Sequence, residues 1–320
     1  MEDVRVADAA GAATKQDWIA RVEEIGEEAG YFERLGRRHF ALFSDASPVL
    51  LVSFEQLGAV RAGDPGQMPL GHRIAAENGW SSLSIIADGE TWYRDPAVYG
   101  YFDRLVDDSF FEDFDRVVFF GAGMGGYGAC AFSVASPGAT VLALSPIATV
   151  DPALCGWDER LEDYRRLDFT SRYGYAPDMI DGADRVFLVY DPRELPDAMH
   201  AALFHRGHVT ALPCPMLGAE IEPALARMEI LDPIVAAACE GELTSALFYR
   251  LYRARRDNTI YLRSVLGRLE RAERPLLAAL LCRAVIRQGG RPRFRQRFRD
   301  LESDLSDMGI RLPPERGRQT

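Results

Sequence analysis

"RVVFFGAGMGGYGACAF", residues 116–132, opens with an apolar run of high strand propensity, breaks at a cluster of glycines, and continues in the small residues of a close-packed helix. Two motifs overlap on that break. Gly121, Gly123 and Gly126 match G-x-G-x-x-G, the turn that brings backbone amides to a dinucleotide pyrophosphate. The same residues match G-x-S-x-G with glycine in place of serine, a strand-to-helix turn that elsewhere presents a nucleophile.

Outward from this stretch, apolar runs recur at "HFALF" 39–43, "PVLLVSF" 48–54, "SLSIIA" 82–87, "TVLALS" 140–145, "RVFLVYD" 185–191 and "HVTALPC" 208–214. Helical periodicity falls between them at about 96–112, 124–135, 195–205 and 219–229. Strands that are apolar on both faces and alternate with helices predict a mainly parallel sheet covered on both sides, an α/β fold. Residues 1–37 read as a tail and a packing helix, with Trp18, Ile19, Val22, Ile25, Ala29 and Phe32 on one stripe of residues 15–35. Residues 38–230 form the α/β domain, with a cap-like insertion at 151–180. From 231 to 305 only helical patterns follow, an all-helical subdomain, and 306–320 read as a disordered tail.

Composition limits function. The chain of 320 residues carries a net charge of -11, which argues against nucleic acid as a partner. Residues 250–299 nevertheless hold 15 arginines against Asp257, Glu270 and Glu273, and these basic helices are expected to pair with the acidic remainder of the chain. The scattered Cys130, Cys155, Cys214, Cys239 and Cys282 show neither disulfide nor metal spacing. No segment has the length and apolarity of a signal sequence or membrane span, so no membrane association and a cytoplasmic location are expected. No cofactor and no metal are expected.

The cofactor reading lacks its context. A nucleotide turn follows the first strand of its domain and has an acid about 20 residues on, at the end of the next strand; here earlier strands precede it and that strand ends in Ser145 and Pro146. The run "GAGMGG" and the strand order around it resemble the nucleophile elbow of the α/β-hydrolase superfamily. That resemblance implies a serine where Gly123 stands, an acid at Asp191, oxyanion donors near Phe54, Glu55 and Met124, and a histidine in loop 215–223, "PMLGAEIEP", which has none. His39, His72, His200, His205 and His208 lie elsewhere. Nucleophile and base are both missing, leaving Gly123 and Asp191 as vestigial positions. Trp92, Tyr93 and Arg94, in "DGETWYRDP" 88–96, would form an aromatic and cationic wall of a retained pocket, or clamp their loop to the next helix. Through "RVVFFGAGMGGYG" and "DAMHAALF" the chain is also similar to chains described as phosphoadenosine phosphosulfate reductases, which implies an S-G-G-x-D-S loop and a redox cysteine beside the C-terminus; the sequence has neither. The expectation is a catalytically silent hydrolase-like protein that binds a small molecule or a protein partner. A divergent hydrolase or acyltransferase with another nucleophile, and a nucleotide-dependent oxidoreductase, are the alternatives.

Overall fold

The computed structural model describes residues 8–63, 65–289 and 291–314. Its chain divides into two units, one running to Leu251 and one from Tyr252 onward. The first is built on eight strands: β1 (Gly30–Leu35), β2 (His39–Ser44), β3 (Val49–Gln56), β4 (Ser81–Ala87), β5 (Arg116–Ala122), β6 (Thr140–Leu144), β7 (Arg185–Tyr190) and β8 (Val209–Pro213). They lie in the order β1-β2-β4-β3-β5-β6-β7-β8. β2 runs antiparallel to both its neighbours and every other pairing is parallel. This is the strand order of the α/β-hydrolase fold, as the resemblance implied. The central strands are buried on both faces, with all seven residues of β4 withdrawn from water, which explains why they read as continuous apolar runs.

All seven expected strands form. β1 was hidden inside the expected helix 15–35: the helix is Lys15–Ala29, started by a capping box between Thr14 and Asp17, and it stops at Gly30. A side chain at position 30 would stand 2.3 Å from the Phe43 carbonyl oxygen, so the glycine lets β1 pair closely with β2.

The boundary expected at residue 231 moves. Helix Leu231–Cys239 buries Leu231, Ile234, Val235 and Ala238; its Asp232 pairs with Arg73, and Arg116 at the start of β5 donates to the Cys239 carbonyl. Residues 231–251 therefore belong with the sheet. The second unit holds helices Thr259–Arg271, Pro275–Arg287 and Pro292–Asp307 around Leu266, Ala279, Cys282, Phe294 and Leu301. The last helix runs past the expected start of the tail at 306; residues 315–320 of that tail, like residues 1–7, lie outside the described residues. No helix among the described residues is long and apolar enough to cross a membrane.

Candidate functional site

β5 ends at Ala122 and helix Met124–Phe132 begins two residues later, so the chain reverses within a single residue. Gly123 takes that turn at φ 55°, ψ -114°, a conformation that costs glycine little and strains any other residue. Three neighbouring glycines make the packing possible. A methyl group on Gly121 would stand 2.2 Å from the Gly125 carbonyl oxygen, one on Gly125 2.1 Å from that of Phe54, and one on Gly126 3.1 Å from that of Leu144. Gly121 and Gly126 thus serve helix-to-strand contact. Gly123 is different: a Cβ there would meet nothing within 4 Å. A side chain at this position would point into open space.

That space is a cavity of about 390 Å³ at the C-terminal ends of the parallel strands, lined among others by Gln56, Gly123, Met124, Ser145, Glu220 and Glu222. The C-terminal edge is where open α/β sheets hold ligands.

Asp191 directly follows β7 and is fully buried. One of its carboxylate oxygens accepts from the Arg193 amide at 2.9 Å, and the other accepts from the Gly218 amide at 2.7 Å. A backbone N–H of loop 215–223 therefore meets the carboxylate where the resemblance implied an imidazole. The histidines are used elsewhere: His39 bonds Thr91, His72 bonds Ser82, and His208 bonds the Ile180 carbonyl. His200, fully buried, lies 3.2 Å from Asp158 and accepts from the Ala148 amide through Nδ1. Arg160 joins Asp158 to Asp197, so this buried network fastens the 151–180 insertion to helix Leu195–Leu203. Burial holds His200 down to about 4, against the pull of Asp158, and it stays neutral. His205 is exposed on the surface.

The expected ligand wall is not one. Trp92 and Tyr93 are buried at positive φ, 56° and 53°. Trp92 packs on Tyr127, Tyr164 and Phe169, and Tyr93 on Phe54. Arg94 donates to the Asp168 and Arg172 carbonyls and to Ser171, gripping the insertion. All three act as a clamp, the two rings packed into the core and the guanidinium bonded to the insertion. Phe54 is likewise sealed into an aromatic stack with Phe102 and Phe132. Met124 does line the cavity, while its sulfur accepts from the Trp92 amide.

Glu55 turns aside from the cavity mouth. Its carboxylate accepts from the Leu70 amide at 2.7 Å, the Gly71 amide at 2.9 Å and the Ser53 hydroxyl at 2.7 Å. Withdrawal from water raises its pKa, against these donors, which favour the ionised form. Gln56, one residue on, is what reaches the cavity.

Glu222 was not singled out from the sequence. It lies on the first turn of helix Ile221–Arg227, half-buried, and its pKa is pushed up to about 7 by desolvation first and then by Glu55 and Glu220. The signal was present in "GAEIEP", where two acids stand in the loop that should hold the base; a search for histidine passes over them. Ser145, at the end of β6, is also strained, at φ 42°. Cys130 is enclosed in the core, and burial pushes its thiol well up, so it supplies no thiolate.

No protein-family model matches the chain, and no curated protein matches it. Several solved structures are similar. The esterase domain of a Rhodothermus marinus protein has 13% identity and a TM-score of 0.39 over 64% of this chain and 94% of its own. Est1E from Butyrivibrio proteoclasticus has 15% and 0.41 over 68% and 99%. The HSL-homolog EstE7 from a metagenome library has 14% and 0.44 over 72% and 93%.

Proposed function

We propose that this chain is a catalytically silent α/β-hydrolase-like protein whose cavity at Gly123 binds a small ligand, and that the turn at 121–126 is a nucleophile elbow without its nucleophile. The observation that carries the reading is the pairing of two losses. Gly123 occupies the elbow's apex with no attacking atom, and the Asp191 carboxylate is bonded to the Gly218 amide in the loop where a general base would sit. Acyl transfer through a covalent intermediate needs both parts.

A panel of aryl and thioester substrates tests this. The expected result is no turnover above background, and none after Gly123→Ser, although the new side chain has room. Steady hydrolysis that survives repurification and vanishes in Asp191→Asn would overturn silence. A second reading has one observation in its favour: Glu222, in the same cavity and with a pKa near neutrality, has the protonation behaviour of a general base for direct attack by water. In that case the turnover would disappear in Glu222→Gln and not in Asp191→Asn.

A further inference from the structure

In the second unit, helices Thr259–Arg271 and Pro292–Asp307 run side by side in the same direction. Arg291, just before the latter, donates to the carbonyl of Asp257, just before the former, and Arg297 pairs with Glu270 farther along. The groove between them is a cavity of about 510 Å³, lined among others by Arg263, Gly267 and Glu270 of one helix and Arg293, Gln296 and Asp300 of the other. Its charge is polarised. At the N-terminal end stand Arg263 and Arg293, both exposed and neither with a hydrogen bond or ion pair among the described residues. At the opposite end stand Glu270 and Asp300, with Asp304 one turn beyond. Arg297 occupies part of Glu270, and Gln296 donates to Asp300 at 3.1 Å, which leaves carboxylate acceptor sites free. A helix favours acids at its N-terminus and bases at its C-terminus. Both helices carry the reverse order here, so their own stability does not account for it.

The spacing makes this polarity self-complementary. Glu270 follows Arg263 by seven residues and Asp300 follows Arg293 by seven, so on each helix base and acid stand two turns, about 10 Å, apart. A two-fold axis through the middle of the groove therefore brings each arginine of one copy opposite an acid of another. The midpoints fall between Leu266 and Gly267 and between Gln296 and Arg297. A residue on such an axis faces its own copy and must be small or uncharged, as Gly267 and Gln296 are; the charge of Arg297 is met by Glu270. Gly267 is the independent sign. Glycine is unfavourable inside a helix, and a Cβ at 267 would meet nothing within 4 Å. Its smallness serves no contact within the chain, and it clears the point where a second copy comes nearest.

We propose that this groove is a two-fold docking surface for a second copy of the chain, laid antiparallel so that Arg263 and Arg293 of each copy meet Glu270 and Asp300 of the other. An external polyanion would be matched by one end and repelled by the other. The lining is mostly charged and open to water, so association is weak and salt-sensitive.

Sedimentation equilibrium of the full chain over a concentration series is the test. Expected is a dimer with a dissociation constant on the order of 10–100 µM in dilute buffer, weakened at least about tenfold by salt near 0.5 M. Arg263→Glu combined with Arg293→Glu should leave a monomer, and so should Asp300→Arg combined with Asp304→Arg. Mixed in equal amounts, the two double variants should associate with each other, a rescue that a folding defect cannot produce. Gly267→Arg places a good helix former in open space; it should keep or raise the melting temperature and weaken the dimer at least about tenfold. Melting curves establish that each variant is folded, and if a double variant is not, Gly267→Arg decides alone. A monomer at every concentration in dilute buffer would overturn the proposal. A dimer that survives either pair of reversals or Gly267→Arg unchanged, or a mixture that does not reassociate, would overturn it as well. A monomer that binds polyglutamate through Arg263 and Arg293 would give the groove to an acidic protein instead of a second copy.

Discussion

At the scale of single residues, positions 123 and 222 bear on stability in opposite senses. Glycine at φ 55° avoids about 1 kcal/mol or more of strain that a serine stores in an elbow, so Gly123→Ser should lower stability by roughly that amount with no catalytic return. Glu222 works the other way. Its native pKa of about 7 lies above the ordinary 4.5, so the folded state holds a proton that the unfolded state has released. Its burial costs nothing below about pH 4.5; the penalty grows through the window from 4.5 to 7 and is complete above it. The upper limit is about 3 kcal/mol, reduced by solvent screening. Buried His39, His72 and His200, each held down to about 4 by burial, have the opposite slope, destabilising the fold as pH falls from 6.5 towards 4. The informative quantity is hence a difference: Glu222→Gln should match the parent's melting temperature at pH 4.5 and exceed it by several degrees at pH 8. Equal curves at both pH values would mean that Glu222 is solvated.

At the scale of elements, the strand-turn-helix unit depends on backbone-to-backbone contact. Gly125→Ala should cost about 3 kcal/mol or more, since its methyl group would stand 2.1 Å from a carbonyl oxygen that cannot rotate away. Gly100→Ala, in the exposed middle of helix Pro96–Asp107 with nothing within 4 Å, should instead stabilise by up to about 1 kcal/mol. Denaturant titration of the two variants checks both signs. The same contrast explains what was legible beforehand. Strands β2 to β7 could be read because burial leaves continuous apolar runs, half-exposed β8 at the sheet edge because its short run keeps strand propensity, and the turn could be read because close approach demands glycine. β1 was obscured because "GYFERL" is half-exposed and extends a helical stripe. Trp92, Tyr93 and Arg94 suggested a ligand wall because residue type does not show direction: the positive φ of the first two turns them into the core. Glu222 was passed over because its character comes first from burial and then from Glu55, distant in sequence, and both arise only once the sheet is closed.

At the scale of the whole molecule, charge is distributed unevenly, with the arginines concentrated in residues 250–299 of a chain whose net charge is -11. Within the helical unit Arg297 pairs with Glu270 at 2.5 Å and Arg291 donates to the Asp257 carbonyl. Both members of the ion pair are about one-third exposed, so the pair contributes at most about 1 kcal/mol. The larger effect of these arginines is collective: replacing Arg291, Arg293, Arg295, Arg297 and Arg299 by Gln would take the chain from -11 to -16 and increase its self-repulsion. If the cluster answers the acidity of its own chain, as we propose, the fivefold variant should melt roughly 2–6 °C lower in dilute buffer. The gap should narrow near 1 M salt, where charges farther apart than about 3 Å are screened. Scanning calorimetry of parent and variant across a salt series decides the matter. A melting temperature that does not move, together with loss of salt-sensitive binding to a polyglutamate column, would assign the arginines to an external acidic partner.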